Sequence, residues 1–142
     1  MLGMKAYKKD YIDRCRVTID ANVQAYSKDV GKAAKNALEG RFFNSQVLLL
    51  DYMFVHRLSG IEGKNGNPLN EVRILCNSLL FNSGKLQVAK LPEWPNSAVA
   101  GLKLPPEQSI LKLKSGDTIL LEQGDFVRLA AAFFAEIEKK YR

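Results

Sequence analysis

His56, Glu62 and Glu71 are the side chains best suited by type and spacing to acid–base chemistry. His56 is the only histidine in the 142 residues. An imidazole titrates near neutrality and can take a proton as a general base. A carboxylate from Glu62 or Glu71 would orient it or hold a metal. His56 with Glu62 or Glu71 would suit a small hydrolase, one alternative reading, and Asp51, Glu62 and Lys64 distantly echo a nuclease pattern of two carboxylates and a lysine. Arg57, Asn70 and Arg73 are interleaved with them. The same residue types also build internal salt-bridge networks. Glu71 and Arg73 are two apart and cannot share a helix face. Each therefore needs a partner elsewhere, and Asp51 and Arg57 are available.

Between these groups run Gly60, Gly63 and Gly66, spaced three apart, with Lys64 and Asn65 in the last interval. Glycine admits left-handed backbone and close approach. The loop leads into Asn67-Pro68, a helix start whose free amides can receive an anion. It is not a phosphate loop of the Walker type, because the lysine and hydroxyl after the last glycine are missing. It follows no strand, so it is no dinucleotide fingerprint either. It reads as an anion site or as a tight inter-helix turn that simply needs glycine. The leading expectation is a non-enzymatic binding or regulatory protein with its site at residues 56–73. Gly63 and Gly66 would shape the loop, while Lys64, Arg57 and Arg73 supply charge. Asn65, Asn67 and Asn70 would supply hydrogen bonds to an anionic ligand or a protein partner.

Gly63-Lys64-Asn65-Gly66, followed by Leu69 and Val72, resembles the G-x-x-G loop of KH-domain RNA-binding proteins. The run Thr118–Glu122 and the helical pattern after it resemble the end of that domain. The resemblance covers residues 42–142 and implies a loop that clamps a single-stranded RNA backbone. The whole segment from His56 to Arg73, with its Gly-Asn-Pro-Leu-Asn-Glu-Val-Arg run, resembles a family of small bacterial proteins of uncharacterised function. That likeness implies a bacterial cytoplasmic protein and carries no activity with it.

The elements that would position these residues follow from periodicity. Ile12, Cys15, Ile19, Val23, Tyr26, Val30 and Ala33 recur at helical steps, predicting a first helix from Lys8 to Leu38, bent near Gly31 and stopped by Gly40. A second, from Phe42 to Ser59, is apolar on nearly every side and reads as a central buried helix. Its polar exceptions include Asn44 and Asp51, and a buried Asp51 would need a partner. Asn67 is the expected N-cap of a third helix that ends at Asn82-Ser83-Gly84. Residues 85–108 carry four prolines and read as a short strand at Leu86–Val88 with extended loops, Trp94 plugging the core edge. Ile110–Leu113 and Ile119–Leu121 flank Ser115-Gly116-Asp117, a hairpin signal. A last helix begins near Asp125, with Phe126, Leu129, Phe133, Ile137 and Tyr141 on its core face. The expectation is one helix-rich domain over residues 1–142, α+β in class, with about four helices and a small β-hairpin before the C-terminal helix.

Composition sets wider bounds. The formal net charge of +6 is spread as +3 over residues 1–40, +1 over 41–83 and +2 over 84–142. A diffuse basic excess attracts polyanions without singling out a nucleic-acid stripe. Cys15 and Cys76 fall on apolar stripes, as reduced buried thiols do. With one histidine they make no familiar zinc spacing, and nothing implies a metal or cofactor. Val47–Val55 is too short to span a bilayer, and the first residues form no secretory signal. The expected compartment is the cytoplasm. Adjacent rings such as Phe133-Phe134 would leave one exposed, offering a homodimer contact.

Overall fold

The computed structural model describes residues 3–30, 37–88 and 102–142. Five helices follow one another: α1 (Lys9–Asp29), α2 (Ala37–Met53), α3 (Ser59–Glu62), α4 (Pro68–Phe81) and α5 (Gln123–Tyr141). The expected Gly31 bend, the Ala33 position and the Trp94 plug lie outside the described residues. The four long helices share one core. The α1 stripe of Ile12, Cys15, Ile19, Val23 and Tyr26 is buried, as is the α5 stripe of Phe126, Leu129, Phe133, Ile137 and Tyr141. Phe54, which ends the core face just past α2, packs edge-on or tilted against Tyr7, Tyr11, Phe133 and Phe134. Such ring geometries suit the aromatic quadrupole. Phe133 and Phe134 are both buried, so neither ring of that pair reaches the surface. No helix among the described residues is long and apolar enough to cross a membrane.

The expected β-hairpin is absent, and the α+β class gives way to a helical one. Among the described residues the only β pairings are two isolated bridges, Met4 with Arg57 and Lys85 with Thr118. The reason lies in what captures the backbone. Lys112 adopts a left-handed conformation with φ of 59°, which ends any extended run there. The Glu71 carboxylate takes the Ile110 and Leu111 amides, at 2.7 and 3.1 Å. Across the turn, the Asn44 side chain donates to the Ile119 carbonyl at 2.6 Å and accepts from the Leu121 amide at 3.3 Å. One carboxylate and one carboxamide, both on helices, thus make the bonds a partner strand would have made.

Two further expectations need correction. Gly40 does not stop a helix but lies inside α2, and a Cβ there would stand 2.7 Å from Leu120 Cδ2 and 3.1 Å from its Cβ. The glycine lets the 119–121 segment lie directly on α2. The helix expected to run to Ser59 stops at Met53, and Phe54–Arg57 turns before the single-turn α3, which contains Gly60. Nor is α2 buried all round. Phe43, Val47, Leu50 and Phe54 are fully buried, yet Tyr52 is 73% exposed and Val55 is exposed beside it.

Candidate functional site

The turn after α2 places Arg57 under the protein surface with its side chain fully buried. The N-terminal segment lies over that turn. Met4 donates to the His56 carbonyl at 2.6 Å and accepts from the Leu58 amide at 2.8 Å. Arg57 Nε donates to Glu62 Oε1 at 2.6 Å, and Nη1 donates to Asp51 Oδ1 at 3.0 Å. Nη1 also reaches the Phe54 carbonyl and Nη2 the Leu69 carbonyl. The guanidinium carbon stands 5.7 Å from the Phe133 ring centroid. Burial alone would pull the Arg57 pKa down, but Asp51 and Glu62 raise it above its ordinary value. The group is therefore a fixed buried cation. Arg73 shares Asp51, with Nε at 3.3 Å from Oδ1.

The glycine loop is built on this base by two asparagines. Asn70 Nδ2 donates to Glu62 Oε2 at 2.7 Å and to the Gly63 carbonyl at 2.9 Å. Its Oδ1 accepts from the Gly66 and Asn67 amides. Asn67 caps α4 as expected, its Oδ1 accepting from the Leu69 and Asn70 amides, and Asn70 completes a capping box. Asn67 Nδ2 donates to the Glu62 carbonyl at 2.8 Å and to Asn65 Oδ1 at 3.0 Å. Gly63 and Gly66 have φ of 80° and 90°, so the loop does use the left-handed region. At Gly66 a Cβ would also stand 2.7 Å from Pro105 Cδ.

The predicted site residues thus divide. Arg57, Asn67 and Asn70 are buried and bonded internally, and Arg73 is half-buried against Asp51. The α4 amides expected to hold an anion are taken by Asn67. Lys64 and Asn65 are exposed, and Lys140 joins them from α5. Its Nζ donates to the Glu62 carbonyl at 2.8 Å, pairs with Glu136 at 3.2 Å and would lie 3.6 Å from a Cβ at Gly63. The exposed Lys103 is also at the loop, its carbonyl 3.2 Å from the same position at Gly66. Sequence spacing could not reveal Lys103 or Lys140, which lie 37 and more residues away.

The acid–base set is not brought together. His56 is exposed, Glu62 is bound to Arg57 and Asn70, and Glu71 holds the 109–111 backbone, with the Ser109 hydroxyl donating to Oε2 at 2.9 Å. Among the described residues no three His, Cys, Asp or Glu side chains stand close enough to share a metal ion. The described residues also hold no sheet beside the Gly63–Gly66 loop, which a KH arrangement would place there. Comparison with known proteins finds no matching family model, no matching curated sequence and no matching solved structure.

Proposed function

We propose that this chain is a non-enzymatic binding protein that takes a phosphate-bearing anionic ligand on the rim of the 63–66 loop. The observation that supports this reading is the contrast within the loop. Its backbone is locked by Asn67, Asn70 and Glu62, while Lys64, exposed beside Asn65, presents a cation to solvent. Lys140 Nζ lies 3.6 Å from a Cβ at Gly63, and Lys103 meets the loop through its backbone carbonyl. A rigid platform with exposed lysines such as Lys64 holds a polyanion with little ordering cost. In this reading Gly63, Gly66, Asn67 and Asn70 are the frame, with Arg57 and Arg73 beneath it, and Lys64, Asn65, Lys103 and Lys140 face the ligand. The two sources of such a ligand are free polyphosphate and single-stranded RNA.

Fluorescence anisotropy with labelled mixed-sequence single-stranded RNA, competed by inorganic polyphosphate across a salt series, tests this. Wild type should bind more weakly as salt rises, and Lys64→Glu/Lys103→Glu should bind at least about 10-fold more weakly at low salt. Equal competition by both polymers marks phosphate alone as the feature recognised, whereas poor competition by polyphosphate assigns the surface to RNA. Absence of binding at low salt, or equal binding by the variant, overturns the proposal.

A further inference from the structure

Charge that is diffuse along the sequence is gathered in space. The N-terminal segment, the 63–66 loop and the last turn of α5 meet at one end of the molecule. Met4 bonds the His56 carbonyl and the Leu58 amide, so Lys5 follows directly beside the turn that leads to the loop. Tyr7 donates its amide to the Tyr141 carbonyl at 2.5 Å, which brings the backbone of Lys8 next to that of Lys140 and Arg142. Lys140 reaches the Glu62 carbonyl and lies 3.6 Å from a Cβ at Gly63, the neighbour of Lys64. Lys64, Lys140, Arg142, Lys8 and Lys5 are thus joined in series by peptide links and by these contacts. Lys5, Lys8, Lys64 and Arg142 are exposed, and Lys140 is half-buried among them.

The acids at this end are already engaged. Glu62 binds Arg57 and Asn70, Glu136 binds Lys140, and Glu138 binds Arg16. Asp13 pairs with Lys9 and Arg16. Its carboxyl is held below the usual range first by the Lys9 hydrogen bond and then by the charges of Lys9, Arg16 and Arg142, which also places Arg142 near α1. Asp10, exposed in the first turn of α1, is the exception. Lys5, Lys8, Lys64 and Arg142 pair with no carboxylate among the described residues. Their charge is left for a partner. Protein interfaces centre on buried apolar and aromatic groups. In the described parts of segments 3–9, 56–66 and 136–142 the only large apolar residue that is exposed is Met4. Cations in series without an apolar centre match a chain of phosphates.

We infer that the track from Lys64 past Lys140 and Arg142 to Lys8 and Lys5 binds an extended chain of phosphates. The inference rests on the reading of the loop as a phosphate site and names its ligand class, a polymer that continues beyond the loop instead of a single phosphate group. The N-terminal segment and the end of α5 are then parts of the binding surface.

The salt dependence of binding to labelled mixed-sequence single-stranded RNA tests this with the full chain. Lys5→Gln/Lys8→Gln removes two cations far along the track from Lys64. Lys85→Gln/Lys114→Gln removes the same charge elsewhere. Both of its lysines are exposed, Lys85 lies beyond the far end of the 14-residue α4, about 20 Å from the loop, and the bonds of Leu86 to Gly116 and Asp117 hold the Lys114 turn beside it. Thermal melts matching wild type confirm that each variant is folded. Lys5→Gln/Lys8→Gln should bind at least about 10-fold more weakly at low salt, and its slope of log affinity against log salt should be shallower by about 1.4, the share of two phosphates on a single strand. Lys85→Gln/Lys114→Gln should keep the wild-type slope. As competitor, long-chain polyphosphate should outdo tripolyphosphate at least about 10-fold at equal phosphate concentration, because linked contacts reinforce one another. If neither competes while the slope still falls in Lys5→Gln/Lys8→Gln, the chain is RNA. Equal slopes for wild type and Lys5→Gln/Lys8→Gln overturn the track, and the loop reading survives if Lys64→Glu/Lys103→Glu still loses binding. Equal losses in Lys5→Gln/Lys8→Gln and Lys85→Gln/Lys114→Gln also overturn it, since net charge alone then acts. Wild type that binds no RNA at low salt overturns the loop reading itself.

Discussion

Arg57 stands between two carboxylates and two carbonyls with its side chain fully buried. A buried ion pair contributes little over a well-packed apolar pair, but breaking it leaves a charge that the interior cannot solvate. Replacing Arg57 with methionine keeps much of the volume and strands Glu62, since Asp51 still has Arg73. The expected loss is about 3 kcal/mol, the lower end of the range for a broken buried pair. The double variant Arg57→Met/Glu62→Gln removes the stranded charge while keeping an acceptor for Asn70. It should be more stable than the single variant by at least about 1 kcal/mol. Urea denaturation of the three proteins checks this. A double variant less stable than Arg57→Met shows that Glu62 is not the group left uncompensated. The same logic explains why these polar residues read so readily as a site. Arg, Asp, Glu and Asn in close sequence signal either chemistry or a network, and only burial decides between the two.

At the scale of elements, the glycines of the 56–73 segment separate into different roles that identical spacing conceals. Gly66 has φ of 90°, and a Cβ would press on Pro105. Gly60 lies in α3 with nothing within 4 Å of such an atom. Gly66→Ala should therefore destabilise the protein by more than about 1 kcal/mol, from left-handed strain with the clash added. Gly60→Ala should be neutral or stabilising by up to about 1 kcal/mol, because alanine favours a helix and constrains the unfolded chain. Paired thermal melts distinguish the two, and equal shifts would refute the distinction. The α4 start was legible because capping is local: Asn67, Pro68 and Asn70 act within four residues of one another. The core stripes of α1 and α5 were legible because burial imposes a period of 3.6. The β-hairpin was misread because Ile110–Leu113 and Ile119–Leu121 carry a strand pattern, while the groups that take up their amides and carbonyls sit on α2 and α4. Gly40 was misread as a stop because its reason for being glycine, contact with Leu120, is 80 residues away.

Across the whole molecule, the irregular segment before α5 is held to the helices by side chains rather than by a sheet. Glu39 takes the Gln123 amide, Asn44 brackets Ile119 and Leu121, and Glu71 holds Ser109, Ile110 and Leu111. Of these clamps Glu71 is the most exacting. The residue is 1% exposed, and its carboxylate receives three hydrogen bonds, which both oxygens must accept. Glutamine at that position keeps the shape but turns one acceptor into an NH2 group that faces a donor. A buried donor left without an acceptor costs roughly 1–3 kcal/mol, and here both the incoming NH2 and an abandoned backbone amide are affected. Glu71→Gln should therefore destabilise the protein by at least about 2 kcal/mol. The loss should also be uneven, because chain regions open with different free energies. Hydrogen exchange should accelerate by more than about 10-fold at the Ile110 and Leu111 amides while the central amides of α1 and α5 slow or quicken only with global stability. Uniform acceleration would mean that the 109–111 segment belongs to the same cooperative unit as the helical core, and that Glu71 supports the whole fold instead of clamping one segment to it.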